Sequence, residues 1–248
     1  MNNIEKLREI ILGSSHAVFF GGAGVSTDSG IPDFRSSDGL YGDGRQSNEY
    51  YLSRECLDTE PEKFFDFYKA NMVYPDAKPN KTHTSLAYLE SAGVIKAVVT
   101  QNIDGLHESA GSRRVFPLHG TVQRGYCMDC REEYGLEHIM NGGDVPRCGL
   151  CGGVVRPDVT LYGEPLDGGV FSEAAYEISK ADVLIVGGTS LRVYPAASLI
   201  DYFTGSHLII VNKSATPYDR DAEYVCREPL SDFFRELIKC DLDAYLPE

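Results

Sequence analysis

The sequence predicts a protein of the α/β class, in which helices alternate with the strands of a parallel sheet. Short, mostly apolar runs at residues 17–20, 95–99 and 182–186 have the length and composition of strands buried on both faces. Segments with apolar residues at helical spacing lie between these runs, and no internal repeat interrupts the alternation.

Length and composition fit one large domain or one domain with an insertion. The chain has 248 residues, of which 42% are apolar, enough for a sizeable core. A formal net charge of -14 argues against a nucleic-acid partner, because phosphate contacts need clustered lysine and arginine. No apolar run reaches the roughly 18 residues that span a bilayer, and the N-terminus lacks a signal-peptide layout. We therefore expect a cytoplasmic protein without membrane or nucleic-acid partners.

The first elements are an amphipathic helix over residues 4–11 and the buried strand over residues 17–20. This strand runs into a glycine cluster of the kind whose backbone N–H groups approach a phosphate closely. Gly22 and Gly24 match the first two glycines of a dinucleotide fingerprint, but Thr27 stands at the third position. On these residues alone, a glycine-rich turn without a ligand remains an alternative.

A short loop follows in which Pro32, Asp33, Phe34 and Arg35 come together. A rigid proline beside a carboxylate, an aromatic ring and a guanidinium is typical of a loop that lies over a polar, anionic group. Residues 36–60 carry several glycines and little periodicity, which predicts a long, mobile segment around short helices.

Five further helices are predicted from apolar residues at helical spacing. The first is opened by Pro61, and its aromatic face is most simply interpreted as packing. The others span residues 82–91, 170–180, 195–203 and 231–239.

Polar side chains follow the strand over residues 95–99. Gln101, Asn102 and Asp104 stand at its carboxyl end, the edge where open α/β sheets bind ligands. Because Asn and Asp are also good helix caps, Asn102 or Asp104 could instead only start the next helix.

His119 follows the next strand, over residues 115–118, and precedes Gly120. Its side chain titrates near neutral pH. A lone histidine is usually structural, but its place at the same sheet edge as the Gln101–Asp104 run makes it a candidate base.

A second glycine-rich turn, formed by Gly188, Thr189 and Ser190, follows the strand over residues 182–186. The next strand, over residues 207–211, ends at Asn212, where dinucleotide folds place the acid that binds the adenosine ribose. An amide can also hydrogen-bond a diol.

The cysteines predict a structural zinc site. Seven cysteines, an odd number, fit a metal in a reducing compartment better than a disulfide framework. Two C-x2-C pairs separated by 17 residues have zinc-ribbon spacing, and four thiolates make a closed tetrahedral site that takes no part in chemistry. Two unrelated reduced pairs are the alternative. The predicted ligands are Cys127, Cys130, Cys148 and Cys151. Cys56, Cys226 and Cys240 are left as ordinary thiols.

Residues 156–164 alternate like a half-exposed strand. Such a strand can add its edge to an extended peptide, or it can be a plain connector.

The motifs of the chain resemble, in type and order, those of the sirtuin family. They are Gly22–Ser26, Ser29–Arg35, Thr100–His107, His119–Gly120, the four paired cysteines, Gly188–Ser190 and Asn212. The resemblance implies an NAD-dependent protein lysine deacylase with a structural zinc. It implies a Rossmann-like NAD-binding domain (1–35, 80–122 and 156–248) and a small domain made of a helical lid insertion (36–79) and a zinc-ribbon module (123–155).

Carried over by motif, the resemblance implies His119 as the catalytic base and a set of NAD-binding residues. These are Gly22, Ala23, Gly24, Ser26, Asp33, Phe34, Arg35, Gln101, Asn102, Asp104, Gly188, Thr189, Ser190, Asn212 and Cys226. In that chemistry the nicotinamide–ribose bond breaks, the acyl oxygen of lysine attacks the sugar carbon, and the base activates a ribose hydroxyl. Lysine, nicotinamide and O-acyl-ADP-ribose result.

The resemblance also implies an acylated peptide as the partner, clamped as a strand with its acyl-lysine in a tunnel. The substrate residues are Tyr68, Asn71, Val159, Thr160, Leu161, Tyr162 and Val193. Relatives that prefer acidic acyl groups carry Tyr-x-x-Arg on the tunnel helix, where this chain has Asn71 in place of the arginine. We therefore expect acetyl-lysine to be favoured over succinyl-lysine.

Two other functions remain possible on sequence grounds. A protein ADP-ribosyltransferase on the same scaffold would pass ADP-ribose to a protein. A non-catalytic binding module would use the zinc ribbon to recruit a partner.

Overall fold

The computed structural model describes residues 3–33 and 48–239, so Phe34, Arg35, Cys240 and part of the predicted mobile segment lie outside the described residues. The strands are β1 (Ala17–Gly21), β2 (Ile95–Thr100), β3 (Val115–Pro117), β4 (Gly120–Cys127), β5 (Glu133–Gly135), β6 (Val155–Val159), β7 (Val183–Gly187), β8 (His207–Val211) and β9 (Tyr224–Cys226). The helices are α1 (Asn3–Leu12), α2 (Asn48–Tyr51), α3 (Arg54–Thr59), α4 (Pro61–Asn71), α5 (Lys81–Ser91), α6 (Leu106–Ser109), α7 (Leu136–Asn141), α8 (Gly168–Lys180) and α9 (Leu230–Ile238). None of these helices combines the length and apolar content that crossing a membrane requires.

Six strands form one parallel sheet in the order β3-β2-β1-β7-β8-β9. The predicted α/β class is thereby confirmed. The chain builds the sheet outward on one side of β1 and then crosses to the other side at β7. This reversal leaves a crevice outside the carboxyl ends of β1 and β7, where open α/β sheets bind ligands.

Each face of this sheet carries its own core, which explains why the strand sequences are apolar without alternation. Phe19 belongs to the core that α1, α5 and α9 cover, and Phe20 belongs to the core on the side of α8. Successive side chains of a strand point to opposite faces, so both must be apolar when both faces are covered. The predicted helix over residues 195–203 is a 3-10 helix, Ala196–Tyr202, on the α8 side.

The remaining strands form a small antiparallel sheet, in the order β5-β4-β6, around a third core with α3, α4 and α7. β4 begins at Gly120 and β6 ends at Val159, so both strands extend past the expected boundaries between the NAD-binding domain and the zinc-ribbon module. Those domain boundaries stay a prediction. The strand expected over residues 156–164 is shorter and more buried than predicted, because the third core covers β6.

Candidate active site

A cavity of about 1290 Å³ opens at the carboxyl edge of the parallel sheet, and the small sheet contributes to its wall. Sites for drug-sized ligands measure roughly 300–1,000 Å³, so this cavity has room for a dinucleotide together with a side chain. Most of the predicted site residues line it: Ala23, Gly24, Ser26, Asp33, Tyr68, Asn71, Gln101, Asn102, Asp104, His119, Val159, Thr160, Leu161, Tyr162, Gly188, Thr189, Ser190, Val193 and Asn212. Gly22 and Cys226 do not line it. Cys226, at the end of β9, packs partly buried against the core on the α1 side.

The two glycine turns pack directly against each other at the sheet reversal. The Gly24 N–H donates to the carbonyl oxygen of Gly188 over 2.8 Å, and a Cβ at Gly24 would lie 2.8 Å from the Gly188 Cα. Gly188 has a φ of 61°, in the left-handed region that favours glycine. A Cβ at Gly22 would lie 2.8 Å from the Cβ of Thr189, so Gly22 serves this close approach from behind the cavity.

Ser26, Asn102 and Asp104 form one hydrogen-bonded group on the cavity wall. The Ser26 hydroxyl, which is buried, donates to Asp104 Oδ2 over 2.6 Å and accepts from Asn102 Nδ2 over 3.0 Å. Asp104 Oδ1 accepts from the backbone N–H of Leu106, over 2.9 Å, at the start of α6. Asp104 therefore supports a helix start and lines the cavity at the same time.

One residue that sequence reasoning did not single out, Asn80, holds the first glycine turn from behind. Asn80 Nδ2 donates to the carbonyl oxygen of Val25 over 2.7 Å and to the Ser29 hydroxyl over 3.0 Å. Asn80 Oδ1 caps α5 by accepting from Thr82 N–H, and the Asn80 N–H donates to His83 Nδ1 over 3.2 Å. An asparagine before a helix is a recognisable cap signal, but its contact with the turn has no local signal.

His83 and His107 form a buried pair near that support. Their ring centroids are 4.8 Å apart in an edge-to-face arrangement, and both side chains are buried. Desolvation lowers the pKa of His83 to about 4 and that of His107 to about 3. Both rings are therefore neutral near pH 7. The side chain of His107, which belongs to one of the family motifs, packs near Phe19 in the interior and does not line the cavity.

Gln101 connects three parts of the site. Its backbone N–H donates to the carbonyl oxygen of Gly21 over 3.0 Å, which extends the pairing of β1 and β2. Its side-chain Nε2 donates to Thr189 Oγ1 in the second glycine turn over 3.0 Å. Its carbonyl oxygen lies 2.8 Å from His119 Nδ1.

This last contact fixes the tautomer of His119. A carbonyl oxygen only accepts hydrogen bonds, so Nδ1 carries the proton and Nε2 of the neutral ring keeps its lone pair. Desolvation lowers the pKa of His119, and the hydrogen bond to the Gln101 carbonyl raises it less, so the net shift is downward. The imidazole is therefore neutral at pH 7 and can accept a proton at Nε2.

The segment that follows β6 is held beside His119 by an ion pair whose arginine is buried. Arg156, which is 2% exposed, places Nη2 3.0 Å from Glu164 Oε2. The same carboxylate oxygen accepts from the backbone N–H of Leu161 over 3.0 Å. The arginine side chain thus fixes the path of residues 160–164 along the cavity wall.

The backbone N–H groups of that segment are already used within the chain. Thr160 N–H donates to the His119 carbonyl oxygen over 2.9 Å, and Tyr162 N–H donates to the Leu52 carbonyl oxygen over 3.0 Å. The carbonyl oxygen of Thr160 has no hydrogen-bond donor among the residues that the structure describes. It is therefore available as a hydrogen-bond acceptor.

The four paired cysteines meet at the end of the small sheet. Their sulfur atoms all lie within 4.8 Å of one another, with pairs at 3.4 Å and 3.5 Å. Zinc at about 2.3 Å from each sulfur in a tetrahedron requires sulfur separations of about 3.8 Å, so the cluster fits zinc. The residues that would hold it are Cys127, Cys130, Cys148 and Cys151. Four thiolates leave no open coordination position, which fits a structural role.

A parallel sheet with two packed glycine turns at its reversal, and a neutral histidine lining the cavity there, defines a Rossmann-like nucleotide-binding enzyme with a zinc module. The Sir2 family model matches residues 22–195. The chain is 52% identical over 241 residues to the NAD-dependent protein deacetylase of Clostridium perfringens, covering 96% of this chain and 99% of that protein. This chain therefore belongs to the Sir2 family, the sirtuins.

Solved Sir2 structures share the fold. One with a deacetylated p53 peptide and 3'-O-acetyl ADP ribose has a TM-score of 0.88 at 37% identity and covers 95% of this chain and 97% of that one. Another, with a p53 peptide and NAD, has a TM-score of 0.85 at 38% identity and covers 96% of this chain and 98% of that one.

Proposed function

We propose that this chain, an NAD-dependent protein deacetylase, releases nicotinamide and O-acetyl-ADP-ribose. The observation that carries the proposal is His119, a neutral imidazole with an available Nε2 in a cavity that two glycine turns also border. Relatives named NAD-dependent protein deacetylase, at about half sequence identity over nearly the whole chain, support the same activity.

The residues of the cavity fit NAD. Asn212 lies at the end of β8, where dinucleotide folds place a ribose-binding acid. Its amide Nδ2 donates to the Ser214 carbonyl oxygen over 2.8 Å, which leaves Oδ1 to accept from ribose hydroxyls. At the other end of the cavity, the turn at Ala23 and the hydroxyl–carboxylate pair of Ser26 and Asp104 would bind the rest of the NAD molecule. When bound, NAD supplies the ADP-ribosyl group that accepts the acetyl group, and nicotinamide leaves.

His119 would act on a ribose hydroxyl. Nε2 takes the hydroxyl proton, so that the oxygen can attack the acyl carbon. The Gln101 carbonyl oxygen then stabilises the positive imidazolium through Nδ1–H, at 2.8 Å. Because that acceptor belongs to the backbone at the end of β2, the ring is held in the reactive orientation before substrate binds.

The acetyl-lysine side chain would lie between the segment from Val159 to Tyr162 and Val193, all of which line the cavity. The amide N–H of acetyl-lysine needs an acceptor, and the carbonyl oxygen of Thr160 is available for it. This contact would direct the acetyl group past His119 into the cavity. The peptide main chain would find its other partners outside residues 160–162, whose N–H groups are engaged.

The direct test measures nicotinamide release from NAD with an acetyl-lysine peptide, with the same peptide bearing free lysine, and without peptide. We expect release only with the acetylated peptide, together with stoichiometric O-acetyl-ADP-ribose detected by mass spectrometry. Release that does not need the peptide, or stable transfer of labelled ADP-ribose to protein, would contradict the proposal.

The same chain is expected to favour acetyl-lysine over succinyl-lysine by about a hundred-fold in kcat/KM. A succinyl carboxylate beside Asn71 would be buried without a cationic partner, which costs several kcal/mol. Among the described residues that line the cavity, Lys213, which follows β8, is the only lysine or arginine.

Kinetics with one peptide sequence carrying either acyl group check this preference. Asn71→Arg should raise succinyl turnover by supplying the cation, whereas Asn71→Gln, which is longer but neutral, should not. Equal kcat/KM for the two peptides in the wild-type protein would show the preference to be wrong.

A further inference from the structure

The turn that follows β8 borders the cavity but has little main-chain structure of its own. Asn212, Lys213 and Ser214 line the cavity. The Asn212 N–H still pairs with the Cys226 carbonyl oxygen of β9 over 3.0 Å, whereas residues 213–215 make no backbone–backbone hydrogen bond within the part of the chain that the structure describes. The position of this turn therefore depends on side chains.

Arg227, directly after β9, bonds to this segment at three points. Its Nη1 donates to the carbonyl oxygens of Asn212 and Ser214, each over 2.9 Å. Its Nη2 pairs with a carboxylate oxygen of Asp219, further along the same segment. Arg227 is not among the residues that line the cavity, so its guanidinium holds the turn from outside.

Asp219 is itself held in place by Thr216, which is buried. Its Oδ1 accepts from the Thr216 hydroxyl over 2.7 Å, and its Oδ2 accepts from the Thr216 N–H over 3.2 Å. Desolvation raises the pKa of the Asp219 carboxyl, but the hydrogen bonds from Thr216 and Arg227 lower it more, so the net shift is downward. The carboxylate therefore stays charged at neutral pH and keeps its bond to the guanidinium.

The same contacts act on the side chain of Asn212. The Ser214 carbonyl oxygen accepts both from Arg227 Nη1, over 2.9 Å, and from Asn212 Nδ2, over 2.8 Å. An oxygen held by Arg227 in turn fixes the amide nitrogen of Asn212, and Oδ1 on the other side of the planar amide stays available as an acceptor. The guanidinium suits this task because it offers five donors in a rigid fork, whereas a lysine ammonium is a point charge on a flexible stem.

We propose that Arg227 is a positioning residue for the cofactor: by holding residues 212–214 in place, it keeps the Asn212 amide ready for the adenosine ribose of NAD and so raises the affinity for the dinucleotide. The inference rests on the ribose-binding role proposed above for Asn212. A loop that is ordered before the ligand arrives does not have to be ordered by it, and this preorganisation lowers the cost of binding. Arg227 takes no part in the proton transfer at His119, so binding of NAD, and not the rate of the bound complex, should depend on it.

The test measures the binding of ADP-ribose, which carries the adenosine end of NAD but has no nicotinamide to lose, by isothermal titration calorimetry. In Arg227→Ala we expect the Kd for ADP-ribose and the KM for NAD to rise together by about five- to ten-fold, the effect of leaving one short turn for the ligand to order. The kcat at saturating NAD and the KM for the acetyl-lysine peptide should stay within about two-fold of the wild-type values. Partial unfolding would lower the stoichiometry of the titration and leave the Kd unchanged, which would contradict a positioning role.

Two further variants separate the fork from the charge. Arg227→Lys keeps the charge without the fork, so its Kd should stay close to that of Arg227→Ala; a wild-type Kd would show that charge alone acts and would overturn the inference. Arg220→Ala is the matched control, because it removes an exposed arginine from the same segment that pairs with neighbouring Asp221. It should keep the wild-type Kd, and a loss as large as that of Arg227→Ala would show that the effect does not come from these contacts.

The outcomes separate this inference from the function on which it rests. If the wild-type protein binds ADP-ribose and deacetylates the peptide, but Arg227→Ala binds ADP-ribose equally well, the positioning role is wrong and the proposed function stands. If the wild-type protein neither binds ADP-ribose nor releases nicotinamide from NAD, the proposed function fails and the positioning role fails with it.

Discussion

Replacing His119 by alanine is expected to lower kcat/KM for deacetylation by a factor of about a hundred to ten thousand. Without the imidazole, no group is in place to take the ribose proton at neutral pH. The backbone of β3 and β4 does not depend on the side chain, so the thermal melt should stay close to that of the wild-type protein. Nicotinamide release with a saturating and a limiting acetyl-lysine peptide measures the effect.

The matched control is His207→Ala. His207 begins β8, at the edge of the sheet opposite the cavity, and its imidazole pairs with Glu223 on the surface. This variant should retain activity. An equal loss in both variants would show that the effect comes from folding and not from a base at position 119.

The pH profile gives the same prediction an independent readout. Desolvation lowers the pKa of His119 from its ordinary value near 6.5, so the neutral, proton-accepting form dominates at pH 7. As the pH falls through that lowered pKa, Nε2 becomes protonated and kcat/KM should fall. An acid limb centred above pH 6.5 would contradict the assignment.

Removal of zinc is expected to abolish deacetylation and to unfold the small sheet. Structural zinc sites contribute about 10–16 kcal/mol to the folding of the segments they hold. Two of the ligands, Cys127 and Cys148, lie buried in the core of that sheet. Chelation should release about one zinc per chain, and activity should return when zinc is restored.

A pair of cysteine variants separates the metal from packing. Cys130 is exposed, so Cys130→Ala costs little packing, and a large loss of zinc and activity would come from the metal site. Cys56 is buried outside the cluster, so Cys56→Ala costs more packing but should keep the zinc. Full activity in metal-free protein, or in zinc-free Cys130→Ala, would show that zinc is not required.

The sequence predicted those parts of the site that follow strand ends. Gly24, Gln101 and Gly188 each lie within four residues of the end of a short apolar run, and parallel strands bring their carboxyl ends to one edge. The zinc ligands were predictable for a different reason, since x2 spacing between thiolates is itself a metal-binding geometry.

Contacts between distant segments were not predictable from periodicity. The amide of Asn80 supports Val25 across 55 residues, and no local pattern at either position indicates that contact. The same holds for the N–H group of Tyr162, which bonds to Leu52 instead of awaiting a peptide. Hydrophobic spacing locates elements, whereas partners of this kind are set only when the elements pack.

The orientation of His119 depends on a main-chain oxygen. In a serine protease triad, the group that orients the histidine is a side chain, which one mutation can delete. Here a substitution at Gln101 would remove the contact with Thr189 but leave the carbonyl, whose position follows from the alignment of β2 with Gly21 of β1. The geometry of proton transfer is therefore protected against point mutations at that position and is sensitive instead to displacement of neighbouring strands.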